Sequence, residues 1–238
     1  MLDTIILLTG PVEEGPLTAV LRGHHPHLNV CAVKSLEELE AIGQSVLNRA
    51  RLIGFVTPVI VPARILKTLG HGAYNFHPGS PHYPGWVPSH FAIYERAGYF
   101  GATAHVMVER VDAGPIVGVE LFDIPSGTGV LRLQEMAFTH LAKLFWRLAP
   151  ELVKRAPLLE LPIQWTGTKS TKSMYAAMCE IPADVSKEEL ERRIEVFGSG
   201  HYGIDLTIAL HGRAFRYAPP VKFDAPNVLT AEKVLEPA

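Results

Sequence analysis

Cysteine is scarce in this chain: there are two among 238 residues, Cys31 and Cys179. Two thiols set among apolar neighbours cannot build a disulfide framework, so both are expected to be reduced and buried, as in a reducing cytoplasm. Basic excess is missing too. The 22 Lys and Arg stand against 24 Asp and Glu, a net charge of -2, which leaves no basic stripe of the kind a nucleic-acid backbone selects. No apolar run reaches the length of a membrane span, and "MLDTIILLTG" carries no basic leader region, so it is expected to be a buried strand. Glycine-rich phosphate signatures are also lacking. The turn after that first strand reads "LTGPVEEGP", without G-x-G-x-x-G, and its Glu13 and Glu14 would repel a pyrophosphate. A P-loop, internal repeats and low-complexity segments are absent.

What is present is a composition able to build a real core, 47% hydrophobic and 19% charged. "TIILLTG" is apolar on both faces, as a central parallel strand requires. A helical stretch over 16–22 follows, then "LNVCAV" as a second strand. "SLEELEAIGQSVLNRA" predicts one helix opened by a capping box of Ser35 and Glu38. "RLIGFVTP" predicts a third strand, "PARILKTLG" a short helix and "GAYNFH" a fourth strand. This alternation predicts an α/β fold with a doubly wound, mostly parallel sheet. "GATAHVMVERV" and "GPIVGVELFDIP" then read as two strands joined at "DAG", and 131–153 as a long amphipathic helix. The remainder holds a helix near 186–196 and a hairpin, "IDLTIALHGRAFRYAP", turning at His211-Gly212. The expected organisation is a catalytic domain over 1–160 and a small C-terminal α+β appendage over 161–238.

The chemistry concentrates in "YNFHPGSPHYPGW", 74–86. Asn75 and His77 sit two apart, so they share one strand face. At the C-terminal end of a strand that face opens into the crevice where α/β sheets bind ligands. Asn can stabilise a developing oxyanion, and His can carry a proton near neutral pH. A carboxylate able to orient the imidazole appears at Asp112. On spacing alone, the preferred reading of the three is a loop cap, a packed histidine and a turn residue.

"NFHPGSPHYPGWVPSHFAI", followed by "GATAHVMVERVDAGPIV", resembles the formyltransferases that use 10-formyltetrahydrofolate. That family includes glycinamide ribonucleotide, methionyl-tRNA and sugar N-formyltransferases. The resemblance covers about residues 3–125 and rests on Asn75, His77, Pro78, Gly85, Pro88, Ala92, Gly101, Thr103, Asp112, Gly114 and Ile116. It implies a formyltransferase-type, Rossmann-like fold with Asn75, His77 and Asp112 as catalytic residues and 10-formyltetrahydrofolate as donor. It also implies a pterin site against "FVTPVIVP", with Phe55, Val59, Ile60 and Val61 on one side and Met107, Glu109 and Val111 on the other. The same side chains could equally be core. The loop "GSPHYPG" is shorter than the family's usual one, and its His82, Tyr83 and Trp86 either shape the amine pocket or pack the loop.

Glu13, Glu14 and the absence of basic excess direct the expected acceptor toward a small amine, with an amino-sugar nucleotide as the favoured form. No nucleic acid, membrane or metal is expected, a homodimer is allowed, and the expected location is cytoplasmic. Two alternatives stay open: a hydrolase releasing formate from the same donor, and a catalytically silent folate-binding protein. His24, His25 and His27 could suggest a metal but read better as a solvated loop, His105 reads as structural, and "KSTKSMY", which could bind an anion, reads better as a solvated helix start.

Overall fold

A computed structural model describes residues 2–218. Strand β1 (Thr4–Leu8) leads into helix α1 (Pro11–His24), then β2 (Asn29–Val33), α2 (Leu36–Glu40), α3 (Gln44–Leu47) and β3 (Ala50–Phe55). Next come α4 (Ala63–Thr68), β4 (Ala73–His77), α5 (Pro88–Tyr94), β5 (Tyr99–Val106), β6 (Ile116–Asp123) and the long α6 (Val130–Leu152). The first sheet has the order β2-β1-β3-β4-β5-β6. Its first four strands are parallel, and β5 and β6 join antiparallel. The mostly parallel α/β sheet expected from the alternation is therefore present.

Burial follows the composition of each strand. Every residue of β3 is buried, because helices cover both faces. One face packs against α1 and α6 through Leu17, Leu21, Leu141, Leu144 and Phe145. The opposite face packs against α2, α3 and α4 through Leu39, Leu47 and Ile65. Helix α6 presents Leu133, Ala137, Leu141, Leu144 and Leu152 inward at three- to four-residue spacing, the stripe an amphipathic helix needs.

Arg51 is the largest fully buried side chain, with 0% exposure. Among the described residues no carboxylate forms an ion pair with it. Its guanidinium donates instead to the carbonyls of His71, Glu151, Leu152 and Ala156, at 3.1, 3.2, 2.6 and 2.8 Å. Three of these acceptors lie at or just beyond the end of α6, where helical carbonyls lack intrahelical donors and carry partial negative charge.

Two local expectations differ. The helix predicted over 35–50 is broken into α2 and α3 at Gly43, which is extended (φ -62, ψ 146). Glycine gains little from continuing a helix, and the chain bends there. The first helix begins at Pro11, not near 16, with Pro in its first turn and Glu13 and Glu14 behind it.

The tail from 161 onward adds α7 (Lys172–Cys179), β7 (Glu180–Ile181), α8 (Lys187–Phe197), β8 (Thr207–Leu210) and β9 (Arg213–Arg216). The three strands form a second sheet, β7-β8-β9, and its hairpin turns at His211 and Gly212, both at positive φ. Tyr175, Cys179, Val196 and Phe197 of the tail share one apolar cluster with Tyr83, Phe91, Phe100 and Leu133 of the preceding region. Residues 219–238 of the expected appendage lie outside the described residues.

Candidate functional site

The antiparallel pairing of β4 with β5 builds the site. Its register sets Asn75 opposite His105 and His77 opposite Thr103. All four side chains therefore share one sheet face. Asp112 reaches this face from the turn between β5 and β6. Its backbone is left-handed (φ 48), and Gly114 lets the turn fold back onto β5, since a Cβ there would stand 2.0 Å from the Val106 carbonyl oxygen.

Asp112 is 6% exposed and sits between two imidazoles. Its Oδ1 is 3.2 Å from His105 Nε2, and its Oδ2 is 3.6 Å from His77 Nδ1. The Gly85 amide donates to Oδ2 at 2.8 Å. His105, expected to be structural, thus belongs to the cluster. Its Nδ1 donates to the Val106 carbonyl at 2.9 Å, and its Nε2 stands 3.2 Å from both the Asp112 carboxylate and the Asn75 amide nitrogen.

His77 Nε2 lies 2.9 Å from the Tyr83 carbonyl, an atom that can only accept. The ring proton is therefore on Nε2, and in the neutral ring Nδ1 carries a lone pair facing Asp112. Burial pulls the His77 pKa below its ordinary value, against the opposing pull of Asp112 and the Tyr83 carbonyl, with His105 adding to the lowering. Burial alone would raise the Asp112 pKa, but His77, His105 and the Gly85 amide together hold it well below the usual carboxylate range. Burial thus favours the neutral ring of His77 at rest.

A cavity of about 960 Å³ opens on this cluster, next to the C-terminal ends of β3 and β4. Asn75, His77, His105 and Asp112 all line it. So do Val59, Ile60, Val61, Met107, Glu109 and Val111, which form a largely apolar wall. Phe55 does not. It is 1% exposed and lies beneath the floor, packed on Phe76, Phe138 and Phe145. Among the three loop aromatics, Trp86 reaches the cavity. The Tyr83 side chain turns into the core and donates its hydroxyl to Glu95 at 2.9 Å, while His82 stands outside, against Thr166. Val56, Val87, Asp112 and Tyr202 on the cavity wall all hold left-handed backbone. Such strain costs roughly 1–3 kcal/mol per residue and gathers where ligands bind.

Trp165 had no expected role, and Ser170, expected within the solvated helix start "KSTKSMY", is buried instead. The Trp165 ring stands edge-on to His105 and His77, with centroids at 5.1 and 5.8 Å, and its Nε1 donates to the Gly114 carbonyl. Ser170 is 5% exposed and lines the cavity next to Lys169. Nothing in the local pattern of "PIQWTGTKS" marks either residue. A signal for His105 did exist, in its alternation with Thr103. Among the described residues, no group of three or more His, Cys, Asp or Glu is placed to hold a metal ion.

No family model matches the chain. Methionyl-tRNA formyltransferase from Listeria monocytogenes is 30% identical over 113 residues, which is 47% of this chain and 34% of that protein. The match therefore spans about a third of the relative's length. Among solved structures, a sugar N-formyltransferase from a Shewanella species superposes with a TM-score of 0.74 at 17% identity, covering 91% of this chain and 97% of the other. The formyltransferase PseJ from Anoxybacillus kamchatkensis, in complex with UDP-4,6-dideoxy-4-formamido-L-AltNAc and tetrahydrofolate, superposes with a TM-score of 0.61 at 21% identity over 81% of this chain and 99% of that one. The chain has the fold these formyltransferases share.

Proposed function

We propose that the protein transfers a formyl group from 10-formyltetrahydrofolate to the amine of a nucleotide-linked amino sugar. The observation that carries this reading is the Asn75–His77–Asp112 cluster at the floor of a cavity with one long apolar wall. That wall, from Val59 to Val61 and from Met107 to Val111, suits a flat heteroaromatic ring. Folate would supply the formyl carbon. Solved relatives of the same fold support the substrate pair, since PseJ holds both a formamido-sugar nucleotide and tetrahydrofolate.

The chain's own groups divide the work. The Asn75 amide, beside His105, lines the cavity and can donate to an oxyanion forming there. Neutral His77 has its only N–H on the Tyr83 carbonyl, so its part is to accept the amine proton at Nδ1. The imidazolium so formed would face Asp112, already ionised at 3.6 Å, and gain its charge. Asp112, its Oδ2 held by the Gly85 amide, stays beside that ring. Its role is to stabilise the charged ring and hold it in place. Much of the rate would come from confining both substrates in one cavity.

The same reading sets the protein in the cytoplasm. Two free cysteines, Cys31 half-buried and Cys179 buried, support it. Among the described residues no helix is long and apolar enough to cross a membrane.

The test is incubation with 10-formyltetrahydrofolate and a panel of nucleotide-linked amino sugars. Tetrahydrofolate release is followed by absorbance and the sugar product by mass. The expected result is amine-dependent release matched by a formylated sugar. Steady formate release without any amine would replace this reading with a hydrolase. Tight folate binding with no turnover on any amine would replace it with a binding protein.

A further inference from the structure

The segment from Trp165 to Ser170 is the part of the tail nearest the catalytic cluster, and no role described so far uses it. It runs beside the loop that follows β4. Thr166 donates its amide to the Pro81 carbonyl at 3.1 Å. Ser170 then forms a parallel bridge with Gly85. In that bridge the Ser170 amide donates to the Pro84 carbonyl at 3.0 Å, and the Trp86 amide donates to the Ser170 carbonyl at 3.1 Å. The Ser170 hydroxyl reaches the same loop, 3.2 Å from the Pro84 carbonyl and 2.5 Å from the Trp86 carbonyl. One buried serine thus holds the residues on both sides of Gly85.

Gly85 is the residue whose amide donates to Asp112 Oδ2, the oxygen that faces His77. Its φ is +99, and a Cβ there would stand 2.2 Å from the Ser170 carbonyl oxygen. The two backbones run so close that a side chain at position 85 has no room, and the bridge ties the residues on either side of Gly85 to Ser170. Trp165 closes the same assembly from outside by covering the edges of His77 and His105.

We propose that Ser170 is a positioning residue for the transfer reaction. It clamps the 84–86 backbone so that the Gly85 amide fixes Asp112 Oδ2 against His77, and Trp165 seals the cluster behind it. The proposal rests on the formyl-transfer reading for its effect on turnover, but not for its effect on the histidine. The groups facing His77 are Asp112, His105, the Tyr83 carbonyl and the Trp165 ring. Of these, only Asp112 takes a hydrogen bond from the clamped loop's amide. Losing that constraint lets the carboxylate turn away from Nδ1.

The experiment compares Ser170→Ala with the unsubstituted protein by three measurements. The first is kcat and the KM for 10-formyltetrahydrofolate with a saturating acceptor. The second is the pH profile of kcat. The third is the NMR titration of His77, which needs no substrate. The expected result is a fall of about tenfold in kcat with the folate KM unchanged, the usual scale for losing one positioning hydrogen bond. The His77 titration should move to lower pH, together with the acid limb of the rate profile. Ser170→Thr, which restores the hydroxyl, should return both toward the original values. An unmoved His77 titration in the folded variant would overturn the proposal. If Ser170→Ala does not fold, Ser170→Cys keeps the volume with weaker hydrogen bonds, and the same readouts decide. If the unsubstituted protein does not transfer formyl, the functional reading fails and the His77 titration still tests the clamp.

Discussion

Replacing Asp112 by Asn removes one charge and keeps the shape. The lost interaction can be sized from the structure. The carboxylate oxygen and the imidazole nitrogen are 3.6 Å apart, and both side chains are about 95% buried. Two unit charges at that separation attract by about 4–5 kcal/mol at an effective dielectric of about 20. The amide of the substituted Asn returns part of this through its dipole, so about half is forfeited in the imidazolium-forming step. At about 1.4 kcal/mol per decade, that predicts a fall in kcat of roughly 30- to 60-fold. Folate should still bind, because the apolar wall is untouched. The His77 titration should shift further down, since the charge that opposes its desolvation is gone. The assay is steady-state formyl transfer at neutral pH, with folate affinity measured separately by fluorescence and His77 followed by NMR. A kcat within about threefold of the original would refute the argument, because a general base that loses its counter-charge cannot keep that rate. An unchanged His77 titration would refute it independently.

Three further outcomes follow. His77→Asn should lower turnover by roughly 10²–10⁴-fold. The same substitution should flatten the acid side of the stability curve. The folded ring resists protonation while the unfolded one binds a proton below about pH 6.5, so stability falls with pH from there, and Asp112 adds a second loss at lower pH where the unfolded carboxyl protonates. Thermal melts across pH 4–8 of the two proteins check this, and parallel curves would contradict it. Arg51→Met should destabilise by about 3 kcal/mol in urea, since it leaves four carbonyls, that of Leu152 buried, without their donor, and a change below about 1 kcal/mol would remove Arg51 from the list of structural supports. Finally, initiator tRNA should show no saturable, salt-sensitive binding at physiological salt, given a net charge of -2; a filter-binding isotherm that weakens with salt would overturn that expectation.

Strands whose faces are both buried announce themselves by composition, which is why β1, β3 and β4 were legible. The two-residue hairpin turn was legible because His211-Gly212 suits paired positive φ. Helices α2 and α3 were read as one because the apolar spacing runs on through Gly43, and only the packing shows where the chain bends. His105 was placed on the correct side of a strand but given no role. Its neighbour across the sheet depends on β5 running antiparallel to β4, and strand direction is not written in the local pattern. Phe55 shows the converse. It ends an apolar strand that is buried on both faces, so the pattern could not tell floor from wall. Ser170 reaches its loop partners across 84 and 86 residues, and no local spacing predicts contacts that distant.

The Arg51 socket has a consequence for how the chain comes off the ribosome. The strand that carries this cation is made early, but two of its carbonyl acceptors lie 100 and 101 residues later and another lies 105 later. Two more ties join the same late stretch to the beginning: the Leu2 amide on the Val153 carbonyl, and the Leu158 amide on the Tyr74 hydroxyl. At roughly 5–20 residues per second, the early parallel strands wait several seconds before these partners emerge. During that interval a charged side chain has no finished cage, so the half-made sheet gains little by closing around it. Docking of the late stretch is therefore the event that commits the first four strands, and the nascent chain should become resistant to protease only once residues near 158 have cleared the exit tunnel.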